Sequence, residues 1–157
     1  MAAGLGSDIP FLIHGGTAVV SGRGEIVREI EWPFDFTYVI VYPGFGVSTA
    51  WAYRNLNGTG IDSNAYRTMT TKLTDGSLKT GEFFLALTND FEPTVFGRYP
   101  VLAEIKKRLL DYGATASILT GSGSSVLGVF ESEKNADTCS DALIKNFSDV
   151  FTVKASS

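Results

Sequence analysis

At 157 residues, with 44% apolar side chains and a net charge of −4, the chain is long and apolar enough for a substantial core, which excludes a disordered segment. The mild negative balance offers no general attraction to nucleic acid or to an anionic membrane, so an anionic ligand would need a local site. A single cysteine, Cys139, builds neither a disulfide framework nor a zinc set, and a single histidine, His14, argues against His-based triads and His-rich metal centres.

This cysteine usage fits a reducing, cytoplasmic setting. The amino end has no basic segment followed by a long apolar run, so neither a signal peptide nor a membrane span is expected. Met1 to Leu5 are small and apolar without an N-cap, and read as the tail of a helix whose beginning is absent. Ser7 or Asp8 can cap a following helix, with Pro10 tolerated in its first turn. Thr17 to Ser21 and the alternating Glu25 to Glu31 read as strands around a Gly22-Arg23-Gly24 turn, that is, a hairpin.

Thr37 to Tyr42 is β-branched or aromatic almost throughout and reads as a buried strand, ended by Pro43-Gly44-Phe45-Gly46. Ser48 or Thr49 then caps a helix to about Leu56, and Asn57 to Asn64 is a Gly/Asn/Asp loop. Helices are expected over Ala65 to Leu73 and Leu78 to Leu87, with a short, partly helical stretch over Asn89 to Phe96. Pro100 to Tyr112 carries the clearest helical pattern, with Leu102, Ile105, Leu109 and Leu110 on one face, Lys106-Lys107-Arg108 toward solvent, and Gly113 as C-cap. Ala114 to Leu119 and Val126 to Phe130 read as strands, followed by a helix over Lys134 to Lys145 and a last strand over Val150 to Val153. From Thr37 onward this order predicts an α+β, ferredoxin-like split βαβ: an antiparallel sheet with helices on one face.

Between the two strands at 114–130 lies Thr120-Gly121-Ser122-Gly123-Ser124-Ser125. Two glycines one residue apart suit either a plain hairpin turn or a backbone that approaches a ligand closely, with hydroxyls as small donors. Asp8, at a chain reversal, can accept a proton from a substrate hydroxyl or simply cap a helix. Thr49 and Tyr53 lie one turn apart, so a ring and a hydroxyl share a face that could hold a base or pack on the sheet. Asn89-Asp90-Phe91-Glu92 supplies two carboxylates suited to the start of a short helix. His14, beside Gly15-Gly16, fits a structural role as readily as a ligand contact.

Taken together and in this order, several segments resemble the GHMP kinase superfamily, and within it the family that phosphorylates 4-diphosphocytidyl-2-C-methyl-D-erythritol. They are Gly6-Ser7-Asp8-Ile9-Pro10-Phe11, Gly15-Gly16-Thr17-Ala18, Gly22-Arg23-Gly24-Glu25, Pro43-Gly44 with Val47-Ser48-Thr49 and Tyr53, Asn89-Asp90-Phe91-Glu92 with Val95-Phe96 and Pro100, and Thr120 to Val126. The resemblance implies ATP-dependent transfer, with Mg2+, to the 2-hydroxyl of that substrate in non-mevalonate isoprenoid biosynthesis. It implies Asp8 as catalytic base, Thr49 and Tyr53 beside the cytidine moiety, and Gly121, Ser122 and Gly123 as the glycine loop near the phosphates; no residue is assigned to a metal.

The family's lysine-bearing first strand and its Gly-Gly-Gly-Ser-Ser phosphate loop have no counterpart here. The chain therefore reads as the carboxy-terminal half of such an enzyme, expected to be inactive and to bind ATP poorly without the missing amino-terminal half. Residues 1–36 would be a remnant of the N-terminal domain (the turn bearing Asp8 and the hairpin), and 37–157 the GHMP C-terminal domain. Two other readings stay open. One is a different GHMP small-molecule kinase, of the homoserine or mevalonate type; the other is a non-catalytic ferredoxin-like module that binds a small ligand.

Overall fold

The computed structural model describes residues 9–22, 24–56, 63–147 and 149–155. The chain divides into two compact units: Met1–Phe34 with Ser63–Lys79 and Ser157, and Asp35–Asp62 with Thr80–Ser156. The stretch Ser63–Lys79, which the sequence reading assigns to the second domain, thus groups with the first unit.

In the first unit a short helix α1 (Ile9–His14) precedes the hairpin of β1 (Ala18–Ser21) and β2 (Ile26–Glu29), paired antiparallel from Ala18↔Glu29 to Ser21↔Ile26. The turn is possible because Gly22 and Gly24 take φ of 70° and 105°, a region costly for residues with a Cβ. His14 reaches Glu29 across 3.2 Å on the surface, so the histidine has a structural partner here. Helix α3 (Ser63–Thr74) ends at Gly76, also at positive φ, where the N–H groups of Ser77 and Leu78 both close on the Lys72 carbonyl. Hydrogen bonds from Ser77 hold the Asp75 carboxyl below its usual range.

The second unit is the predicted ferredoxin-like domain. Its chain order is β3 (Phe36–Tyr42), α2 (Thr49–Arg54), α4 (Thr80–Ala86), α5 (Glu92–Arg98), α6 (Pro100–Asp111), β4 (Ala116–Leu119), β5 (Val126–Phe130), α7 (Glu133–Leu143) and β6 (Asp149–Ala155). The four strands form one sheet in the order β4-β5-β3-β6, every pair antiparallel. On the central strand β3, Val39 and Val41 are fully buried while Tyr38, Ile40 and Tyr42 are half-buried, the two-residue alternation of a sheet covered on one side.

Helix α6 lays Leu102, Ile105 and Leu109 on that covered face, all fully buried at spacings of three and four, and α7 adds Ala136, Cys139 and Leu143. Leu110 departs from the expected stripe. It turns outward and is 42% exposed, because the helix is covered only over the arc centred on Leu102, Ile105 and Leu109. The aromatic rings of Phe83 and Phe84 pack on Phe36, with centroids 5.8 and 5.2 Å away, and fasten α4 to the start of β3. Burial pushes the Cys139 thiol up to about 11, so it is an inert core residue.

Two neighbours in the sheet are unusually small for core positions. Gly128 of β5 pairs with Ser117 of β4 under α6. A Cβ on Gly128 would lie 2.9 Å from Leu109 Cδ2 and 3.0 Å from Phe130 Cε2, so the helix rests directly on bare backbone. The Ser117 hydroxyl is buried and finds no hydrogen-bond partner among the described residues. Ser117→Ala removes that uncompensated group, and we expect a stability gain of about 1 kcal/mol, read as a higher urea midpoint at unchanged m.

Candidate functional site

All the site residues that can be located lie at one end of the second unit's sheet. Because Val41 pairs with Val126, the exit of β3 and the entry of β5 stand side by side. The segment leading into α2 and the loop at residues 120–125 therefore emerge together, although they are some seventy residues apart in sequence. Of the predicted site residues, Thr49, Tyr53, Gly121, Ser122 and Gly123 meet here. Asp8 lies outside the described residues.

Helix α2 is capped by Ser48, whose hydroxyl accepts from the Trp51 N–H at 3.3 Å. Of the two capping residues the sequence allows, this choice releases Thr49. Its hydroxyl lies 2.9 Å from the Ser122 hydroxyl of the glycine loop, a contact sequence spacing could not foretell. One turn on, Tyr53 is 64% exposed, and its ring meets Phe91 edge-on at 5.0 Å. Neither residue is core, so the face shared by Thr49 and Tyr53 is open to a ligand.

The loop is a tight hairpin whose shape depends on its glycines. Gly121 and Gly123 have φ of 53° and 91°, and a Cβ on Gly123 would come within 3.2 Å of Leu119. Internally the Thr120 N–H closes on Ser125 O and the Gly123 N–H on Thr120 O, each at 2.9 Å. From outside, the Ser124 hydroxyl donates to the Phe45 carbonyl. Asn89 donates from Nδ2 to Leu119 O at 2.7 Å and to Gly121 O at 2.8 Å.

The tetrad at 89–92 therefore does more than start a helix. Glu92 Oε1 accepts from the Leu119 N–H at 2.9 Å while Oε2 holds Lys106 Nζ at 2.6 Å, with both side chains largely covered. Lys106 is accordingly separated from its neighbours: Lys107 and Arg108 pair on the surface with Asp111 and Glu104, as a solvated helix face does, whereas Lys106 turns inward to a carboxylate and lies 5.9 Å from the Phe96 ring centre. Asn89 stands just before α5, where its Oδ1 accepts from the Phe91 N–H and its Nδ2 is left to bind elsewhere. Its partners thirty residues away become visible only in three dimensions.

Beside this brace runs an open cleft of about 530 Å³, bounded by Leu87, Thr88, Asp90, Pro93, Phe96 and Lys106 among others; Thr49, Tyr53 and the glycine loop do not line it. Among the described residues no group of three or more His, Cys, Asp or Glu is placed to hold a metal ion, and no helix is long and apolar enough to cross a membrane. The side chains of other segments described in hydrogen bonds to the loop (Thr49 and Asn89) carry no positive charge. A triphosphate with its metal therefore does not fit these residues alone.

Residues 77–149 match the family model described as GHMP kinases C terminal. The chain is 36% identical over 149 residues to a 4-diphosphocytidyl-2-C-methyl-D-erythritol kinase of Chlorobium phaeobacteroides, covering 94% of this chain and 51% of that protein. It is 38% identical over 149 residues to the kinase of the same name from Geobacter metallireducens, covering 95% and 50%. Among solved structures, a 4-(cytidine 5'-diphospho)-2C-methyl-D-erythritol kinase superposes with a TM-score of 0.71 at 25% identity, over 97% of this chain and 54% of that one. The homoserine kinase from Cytophaga hutchinsonii, with a TM-score of 0.60 at 22% identity over 83% of this chain and 44% of that one, shares the fold. The chain spans about half the length of the curated relatives it matches.

Proposed function

This chain belongs to the GHMP kinases, whose C-terminal domain it carries, and on that footing we propose that it is the carboxy-terminal half of an enzyme that phosphorylates the 2-hydroxyl of 4-diphosphocytidyl-2-C-methyl-D-erythritol with ATP. What carries the reading is identity of 36–38% across nearly the whole chain to kinases named for that one substrate. The local geometry supports it, because an exposed Tyr and Thr on one helix face stand beside a glycine loop, joined through Thr49 and Ser122.

In this reading Tyr53 and Thr49 face the cytidine moiety, the phenol ring offering a stacking surface and the hydroxyl a hydrogen bond. Residues 120–125 form the wall nearest the phosphates. Asp8, in the remnant of the N-terminal domain at residues 1–36, accepts the proton of the attacking hydroxyl as the new O–P bond forms and ADP departs. Neutralising the triphosphate would fall to Mg2+ and to a basic side chain and a helix N-terminus of the amino-terminal half.

The test is an ADP-release assay on the complete enzyme with three acceptors: the cytidylyl substrate, homoserine and mevalonate. Preference for either of the last two overturns the substrate assignment. The 157-residue chain alone is expected to release ADP at background, and ordinary turnover by it would overturn its reading as an inactive half.

A further inference from the structure

We infer that Asn89 is a positioning residue, which locks the glycine loop by completing the open edge of strand β4. The role in transfer rests on the kinase reading; the lock itself does not. Strand β4 is at the end of the sheet order, so one side of it has no neighbouring strand among the described residues. Backbone groups on such an edge need another partner. At Leu119, the last residue before the loop, that partner is a pair of side chains. Glu92 Oε1 takes the N–H, and Asn89 Nδ2 gives a hydrogen to the carbonyl.

The second Nδ2 hydrogen goes to Gly121 O, and Oδ1 accepts from the Phe91 N–H at 2.9 Å. Every hydrogen-bonding direction of the Nδ2 group is used, so the carboxamide cannot rotate without breaking bonds at both ends. Its Oδ1 is tied to the residue preceding α5, whose Val95 is fully buried, and its Nδ2 is tied to both sides of Thr120. Asn89 thereby transfers the rigidity of α5 to the loop. Because Phe91 also bears the edge of Tyr53, the same short segment supports both predicted ligand contacts, the loop and the aromatic ring. Phosphoryl transfer depends on placement to within fractions of an ångström, which a loop hinged at two glycines cannot hold by itself.

Asn89→Ala removes all three bonds. Asn89→Asp keeps the acceptor for Phe91 but sets a carboxylate oxygen against two carbonyls. In the 157-residue chain, amide hydrogen exchange at Thr120 and Gly123 is expected to quicken about tenfold or more in both variants, with Val39 and Val41 in β3 unchanged, as a local opening requires. Unaltered loop exchange overturns the lock. So does equal acceleration in loop and strand, or failure of both variants to fold, since either makes Asn89 a general stabiliser.

In the complete enzyme, Asn89→Ala is expected to lower kcat about tenfold or more while KM for the cytidylyl substrate stays within about twofold. An unchanged kcat in an active enzyme overturns the positioning role. A complete wild-type enzyme with no turnover overturns the kinase reading, and loop exchange still decides the lock.

Discussion

Asp8→Asn in the complete enzyme is expected to reduce kcat about 10²- to 10⁴-fold, the usual contribution of a positioned general base. The substitution is chosen because the competing role of Asp8 predicts the opposite. An asparagine caps a helix about as well as an aspartate does, so if Asp8 only starts the helix at Ile9–His14, the variant should retain both stability and rate. Asparagine is isosteric but cannot hold a proton at neutral pH, so a base loses its function while the shape of the site survives. Steady-state kinetics alongside a thermal melt separates the outcomes. A loss of rate at unchanged Tm supports the base, and a variant within about threefold of wild type, well below any general-base contribution, removes it.

Gly128→Val should destabilise the second unit by about 3 kcal/mol, near the upper end for overpacked cores. The reason is the absence of space between β5 and α6. One added carbon already falls 2.9 Å from Leu109 Cδ2 and 3.3 Å from Leu109 Cβ, and Leu109 is fully buried and has no outward path. A single methyl is absorbed by rotating the end of that leucine, and Ala recovers some of glycine's entropic cost in a strand, so Gly128→Ala should be much milder.

Valine's two further methyl groups have only the helix or Phe130 to displace. Urea denaturation of the 157-residue chain checks the ordering. A valine variant within about 0.5 kcal/mol of wild type, the range of an innocuous surface change, means that α6 does not rest on the strand as described.

The sheet and its helices were readable from residue spacing because burial on one side imposes a regular pattern. Val39 and Val41 alternate with half-exposed neighbours, and Leu102, Ile105 and Leu109 recur at helical intervals. The glycine loop was legible as a turn, because Gly and Ser in close succession restrict what a segment can do, whereas spacing left Thr49 and Tyr53 open to packing on the sheet and only the family resemblance gave them a ligand role. What escaped was of another kind. Lys106 looks like its neighbours Lys107 and Arg108, and only the location of Glu92 in space distinguishes it. Asn89 and Glu92 bind Leu119 across about thirty residues, through side chains whose identity would serve a helix start equally well. Local pattern carries the fold; long-range polar pairing has no period to read.

The side-by-side exit of β3 and entry of β5, set by the Val41↔Val126 pair, bears on how substrate range can diversify. The segment at residues 43–56 hangs from one strand and the loop at 120–125 from another, so lengthening or rewriting the first leaves the pairing that anchors the second intact. The two segments thus belong to separate pieces of chain and meet in two described side-chain hydrogen bonds, Thr49 to Ser122 and Ser124 to the Phe45 carbonyl. On the kinase reading proposed above, a scaffold built this way can exchange one small-molecule acceptor for another by altering a single connection, provided the contacts of Phe45 and Thr49 with the loop are kept.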